Sequence, residues 1–141
     1  ISPTLRLVRG ARAEGLSKRS VVAKVTTDVL IEVSVGCELS KSGYSPETGV
    51  AAYERLRTVP GIRVHGFMAM LPESDDTALL ASLADEMRAL YDRAKAQDTN
   101  IRWLSMGMSG DWRLCVAHGS NMVRIGTALF GARHYPAPAQ P

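Results

Sequence analysis

Residues 102–131, RWLSMGMSGDWRLCVAHGSNMVRIGTALFG, decide the fold. Residues 102–106 form a short apolar run that breaks at Gly107. Ser109, Gly110 and Asp111 then supply turn and N-cap chemistry for a helix starting near Trp112. His118 and Gly119 end that helix. Residues 121–125 make a second strand, broken at Gly126 and Thr127, and a second short helix is expected through 128–130. Each strand thus ends in a glycine that leads to a helix start. Such ends present free backbone N–H groups and the positive end of a helix dipole. Two adjacent parallel strands ending this way could grip one phosphate between them.

Working outward, residues 28–35 (DVLIEVSV) are rich in β-branched residues and read as a strand, and 36–43 as the loop at its end. Ser45, Pro46 and Glu47 open a helix that runs to about Arg57. A turn at 59–61 leads to a strand over 62–70 and a polar loop at 72–76. Residues 77–96 carry the best helical pattern, with Leu79, Leu80, Leu83, Met87, Leu90, Tyr91 and Ala94 as its apolar stripe. Upstream, 3–16 predict a helix capped by Ser2 and opened by Pro3, with Leu5, Val8, Arg12 and Leu16 on one face and Gly10 interrupting. Residues 17–27 read as a polar linker with a valine-rich patch. The tail, 134–141, is rich in Pro and Ala and is expected to be disordered, leaving 1–133 as the structured domain.

Strand and helix alternating at this spacing mean βα units and parallel strands. Four strands and four or five helices are expected. A complete (β/α)₈ barrel takes about 250 residues. The fold class is therefore α/β, about half of a TIM-type barrel; the family resemblance described below makes it the C-terminal half. Because the sequence starts at Ile1 rather than Met, it is expected to be a fragment.

Composition narrows the function classes. The 141 residues are 45% hydrophobic and 22% charged, an ordinary globular balance. The net charge of +3 comes from scattered Lys and Arg, not the clustered basic face that nucleic acid requires. No apolar run approaches the ~20 residues of a membrane span, and no secretory signal is visible. Cys37 and Cys115 lack metal-ligand spacing and read as reduced thiols of a cytoplasmic protein. No metal is expected.

SMGMSGD at 105–111, then a helix, then VRIGTALFGAR at 123–133, resembles the C-terminal signature of the pyridoxal-phosphate homeostasis proteins. These are single-domain relatives of the alanine racemase barrel. The resemblance covers residues 2–133 and places DVLIEVSV, IRVHGFMAM, RWLSMG and NMVRIGT as the last four barrel strands. It implies pyridoxal 5'-phosphate as cofactor, with Ser105, Gly107, Gly126 and Thr127 forming the phosphate cup, which agrees with the common barrel phosphate site after strands seven and eight. Read from the residues alone, these glycines serve either such a cup or simple tight βα turns. Arg124, by the resemblance, faces the pyridine nitrogen and keeps it unprotonated, which weakens the ring as an electron sink; the lesser alternative is an arginine in a surface ion pair. Lys41, in SKSG, matches a family lysine near the barrel mouth, or is a solvent-exposed loop lysine.

The family's Schiff-base lysine belongs to the first barrel strand, upstream of these residues, so no covalent adduct at that position is expected. Cys115 and Val116 depart mildly from the family pattern, and no tyrosine here matches the second catalytic base of alanine racemase. His65 is read as core or barrel-lining, Met68, Met70, Met106 and Met108 as packing residues, Asp111 as an N-cap and His118 as a dipole-favoured surface residue. The implied function is cofactor buffering or delivery without a robust reaction. The rivals are a fragment of a racemase-like enzyme and a half-barrel that binds nothing. The expected partner is a small-molecule cofactor. Open sheet edges at 28–35 and 122–126 would also invite self-association.

Overall fold

In the computed structural model, which describes residues 6–8, 12–36 and 45–124, four strands lie side by side in chain order and all run parallel. They are β1 (Arg6–Val8), β2 (Thr27–Ser34), β3 (Ile62–Met70) and β4 (Trp103–Met106). Four helices follow them in turn: α1 (Arg12–Val22), α2 (Pro46–Leu56), α3 (Thr77–Gln97) and α4 (Trp112–Ala117). This is the repeating unit of a parallel barrel, as the sequence predicts. No helix among the described residues is long and apolar enough to cross a membrane.

Local chemistry explains the element ends. Ser45 and Thr48 form a reciprocal capping box ahead of α2, with Pro46 at the first helical position. Asp76 caps α3 by accepting from the Leu79 N–H at 3.0 Å. One stripe of α3 is buried, from Leu80 and Leu83 to Tyr91 and Ala94. Leu79, expected on that stripe, is 42% exposed, while Leu80 beside it is buried.

Two expectations near the start are corrected. Residues 6–8, read as part of a helix, are a strand paired to Val29, Leu30 and Ile31 of β2. Residues 17–22, read as linker, belong to α1. The polarity of α1 misleads because its serines are used in contacts: Ser17 Oγ donates to the Pro60 carbonyl at 2.7 Å, and Ser20 Oγ lies 2.5 Å from Thr27 Oγ1. With β1 in place, β2 is an interior strand and not the open edge expected at 28–35. At the other end an isolated parallel bridge pairs Ser105 with Met122, and no strand is formed over the described part, 121–124, of the stretch 121–125 expected to be one.

The sheet has two faces with different chemistry. Alternation along the strands sends Val29, Ile31 and Val33, then Val64, Phe67 and Ala69, then Leu104 and Met106 towards the helices, where they form the core with Tyr53, Leu56, Met87, Leu90 and Tyr91. The opposite face carries Leu30 and Glu32, Gly66 and Met68, and Trp103 and Ser105, which are partners in register. A bulge lets β3 switch register at His65, since Val29 pairs with Val64 but Leu30 pairs with Gly66. Gly66 is required there, because a Cβ would come 1.8 Å from the Trp103 carbonyl oxygen. The half-buried His65 ring joins the carboxylate of Asp28 at 3.0 Å to the Asn100 carbonyl at 3.1 Å, tying the strand beginnings together.

Met68 and Met106 are buried, as expected of packing residues. Met70, the last residue of β3, and Met108, two residues past β4, are 53% and 48% exposed and do not pack as expected.

Candidate functional site

The site grows from one row of the sheet. Glu32 of β2 pairs with Met68 of β3, Met68 with Ser105 of β4, and Ser105 bridges to Met122. Partners in a parallel register point their side chains the same way. Glu32 and Ser105 are therefore polar groups on one buried row, 4% and 1% exposed.

Beyond Ser105 the chain turns at Gly107, whose φ of +114° favours glycine and where a Cβ would meet the Trp112 backbone at 3.0 Å. It passes through α4 and returns at Ser120. Asp111 stands at the cap position of α4 but makes no side-chain cap bond to it. Its carboxylate accepts from the Met108 N–H at 2.8 Å instead, closing the loop rather than the helix as expected. His118, at the end of α4, pairs with Asp85 of α3 at 2.8 Å on the surface.

Two side chains hold the returning segment on β4. The buried Ser120 hydroxyl lies 2.7 Å from the Met106 carbonyl and 2.9 Å from that of Met122. Asn121 acts as a piece of backbone: its Oδ1 accepts from the Leu104 N–H at 2.8 Å and its Nδ2 donates to the Arg102 carbonyl at 2.9 Å. Backbone bonds complete the register, Met106 N–H to Met122 carbonyl at 3.0 Å and Arg124 N–H to Gly107 carbonyl at 2.8 Å.

This register turns Arg124 onto the Glu32–Ser105 face. Its Nη1 donates to Ser105 Oγ at 2.6 Å and its Nη2 to the Ala69 carbonyl at 3.4 Å. Burial pulls the guanidinium below its ordinary pKa, while Asp111, Glu32 and Cys115 act in the opposite direction and favour its charge. Cys115, fully buried beneath the same turn, has its thiol pushed up to about 11, first by burial and then by Asp111. A cavity of about 570 Å³ opens between the loops that follow β3 and β4, with Pro72, Ser74, Met108 and Asp111 among its walls. Neither Ser105 nor Arg124 lines it, so it lies beside the pair.

Of the residues singled out from the sequence, Ser105, Gly107 and Arg124 come together at the C-terminal end of β4. Lys41, Gly126 and Thr127 lie outside the described residues, as does the tail 134–141. Glu32, Ser120 and Asn121 were not singled out. A signal for Glu32 existed: it is the one charge inside VLIEV, at an alternate position, which marks the face turned away from the helices. Among the described residues no cluster of three or more His, Cys, Asp or Glu could hold a metal ion.

A parallel β/α sheet with a buried hydroxyl and a guanidinium at the C-terminal ends of its strands defines a barrel protein of the kind that binds ligands at that face. The chain belongs to the alanine racemase N-terminal domain family, whose model matches residues 5–134. It is 40% identical over 128 residues to the pyridoxal phosphate homeostasis protein of Pseudomonas aeruginosa, an alignment covering 90% of this chain and 54% of that protein. The protein of the same name from Aquifex aeolicus is 35% identical over 124 residues, covering 87% of this chain and 54% of that one. The chain thus spans about half the length of the curated relatives it matches. Among solved structures, PipY of Synechococcus elongatus without PLP superposes with a TM-score of 0.78 at 27% identity, over 91% of this chain and 61% of PipY. PipY with PLP bound gives 0.74 at 26% identity, with the same coverage. Alanine racemase of Clostridium difficile in complex with cycloserine gives 0.76 at 19% identity, over 95% of this chain and 37% of the racemase, a likeness of fold alone.

Proposed function

We propose that this chain supplies the phosphate- and ring-binding side of a pyridoxal 5'-phosphate carrier. The observation that carries the reading is the contact between Ser105 and Arg124 at the strand ends. The donor set fits the group: a buried hydroxyl suits a phosphate oxygen, and an arginine suits an unprotonated pyridine nitrogen. Gly126 and Thr127 complete the phosphate cup in this reading, and Lys41 borders the mouth. When bound, the cofactor supplies an aldehyde and an electron-withdrawing ring. This chain's residues bind and orient it. Arg124 donates towards the ring nitrogen, which withholds the proton that electron-sink chemistry needs. The names of the curated relatives and of PLP-bound PipY support the choice of ligand. The three-residue β1 edge is where further barrel strands, or a second copy, would pair.

The two described tyrosines, of four in the sequence, give racemisation no base. Both are buried under the helices, with Tyr53 Oη donating to the Ala94 carbonyl at 3.4 Å and Tyr91 Oη to that of Arg102 at 3.1 Å. Neither offers a base to a ligand at the strand ends.

The test is a titration of the chain with pyridoxal phosphate and, separately, with pyridoxal, followed by tryptophan fluorescence and ultrafiltration. Saturable binding of the phosphorylated compound is expected, weakened roughly tenfold or more without the phosphate. Equal binding of the two compounds, or none by either, removes the proposal.

A further inference from the structure

We propose that Ser105 and Arg124 form a single anion-binding unit, in which the guanidinium serves the phosphate end of the ligand through the Ser105 hydroxyl as well as facing its ring. The inference rests on the reading above and goes beyond it. There the two residues have separate duties at separate ends of the cofactor; here they act together.

The geometry carries the argument. Arg124 Nη1 lies 2.6 Å from Ser105 Oγ, a short separation even for a bond with a charged donor. An arginine only donates, so the serine oxygen is the acceptor. That leaves the serine O–H as a donor, and the adjacent positive charge polarises it. A polarised O–H backed by a cation recognises an anion. The pair is also held in place. Ser105 is almost wholly buried in β4, and Arg124 is fixed at its backbone by Gly107 and at its other terminal nitrogen by the Ala69 carbonyl. The unit therefore spans the ends of β3 and β4 without reorganising.

The surroundings favour the charged form of the arginine. Asp111 and Glu32 both act on Arg124 electrostatically, as does Cys115. With the guanidinium present, these carboxylates help to keep it charged. With it absent, the place loses the positive charge that stands behind the Ser105 hydroxyl. An arginine that did not act through Ser105 would give a loss that adds to that of Ser105→Ala instead of overlapping with it.

Inorganic phosphate separates the two cases, because it has no ring. Its affinity is measured by calorimetry on the chain and on Ser105→Ala, Arg124→Gln and the double variant, with circular dichroism to check folding. The expectation is a loss of roughly tenfold or more for Arg124→Gln, about what one charge-assisted hydrogen bond supplies. A loss is also expected for Ser105→Ala, and the double variant should be no worse than the weaker single variant by more than about twofold, as coupled residues behave. Unchanged phosphate affinity in Arg124→Gln, with a loss in Ser105→Ala, overturns this inference and leaves the phosphate cup standing. No loss in Ser105→Ala removes the cup, and the inference with it. If Arg124→Gln does not fold, Arg124→Lys and the side-chain NMR resonances of Arg124 in the unaltered chain replace it. Phosphate should move those resonances and bind Arg124→Lys less tightly; resonances that stay still overturn the proposal.

Discussion

Ile31, Phe67 and Leu104 stand in register across one face of the sheet, and Glu32, Met68 and Ser105, each one residue further on, stand in register across the other. The first row is fully buried against the helices, with Tyr53 meeting Phe67 edge-on at 6.1 Å between ring centroids. The second row is nearly as buried but carries a carboxylate and a hydroxyl. Burial alone therefore does not separate the rows; what each has next to it does. Apolar side chains gain from leaving water and need no polar partner there. Polar groups at the same depth need partners, and a partner arrangement that leaves hydroxyl or guanidinium hydrogens available is a site. In this sheet one strand carries core residues and the proposed site at alternate positions.

The largest expected effect tests the apolar row. Phe67→Ala removes a ring packed between Tyr53 and the strands, and deletions of this type cost about 3–5 kcal/mol. Urea denaturation of the chain and the variant measures it. A cost under about 1 kcal/mol would mean that the core does not close over Phe67 and that the rows do not differ as described.

How much of this was legible in the sequence follows the same division. The strand at 62–70, the helix at 77–96 and the cap at Ser45 are written in local periodicity and local capping chemistry, and the structure has them within a residue or so. The strand β1 was not legible. Three residues carry no period, and what makes Arg6–Val8 a strand is β2, some twenty residues away. The helix α1 was hidden because its serines look like linker until Pro60 and Thr27 are seen to receive them. Ser105 and Arg124 could be singled out from glycine-ended strands and a family resemblance. Their direct contact could not, since it depends on the register that Ser120 and Asn121 impose. Asp111 was assigned to the right place with the wrong bond, because a carboxylate at a cap position can serve either the helix or the loop before it.

A smaller effect is expected at Cys115, a core residue of α4. The unfolded thiol titrates near 9.0 and the folded one at about 11, raised chiefly by burial. Below pH 9 both states hold the proton, and the stability is fully present. Above it the unfolded chain ionises first, so stability is lost as pH rises through the folded value of about 11. The loss approaches about 2 kcal/mol at the alkaline end of that window. Burial also raises the Tyr53 hydroxyl, which adds a loss of the same sign at higher pH. Comparison with Cys115→Ala isolates the thiol, since Tyr53 is common to both proteins. Urea midpoints at pH 8 and pH 11 should fall further in the unaltered chain than in the variant; equal falls would show that the thiol is not held away from water.

The smallest stability effect is expected at the residue on which the proposed function depends most. Ser105→Ala removes a hydroxyl from a row whose other members stay in place. The loss is one hydrogen bond with a charged donor, and Arg124 keeps its bond to the Ala69 carbonyl and its half-exposed position. A guanidinium with access to water does not suffer the full penalty of a buried unpaired charge. The expected cost is therefore about 1 kcal/mol in urea denaturation. Leu104, the preceding residue, faces the core, and Leu104→Ala is the internal standard at about 2–5 kcal/mol. The pair of variants compares the two faces within one strand, at one depth and with one denaturant. If Ser105→Ala costs as much as Leu104→Ala, then Ser105 belongs to the structural core and its bond to Arg124 is part of the scaffold. If the cost stays near 1 kcal/mol while phosphate affinity drops, the residue is kept for the ligand and the fold has left it room to act.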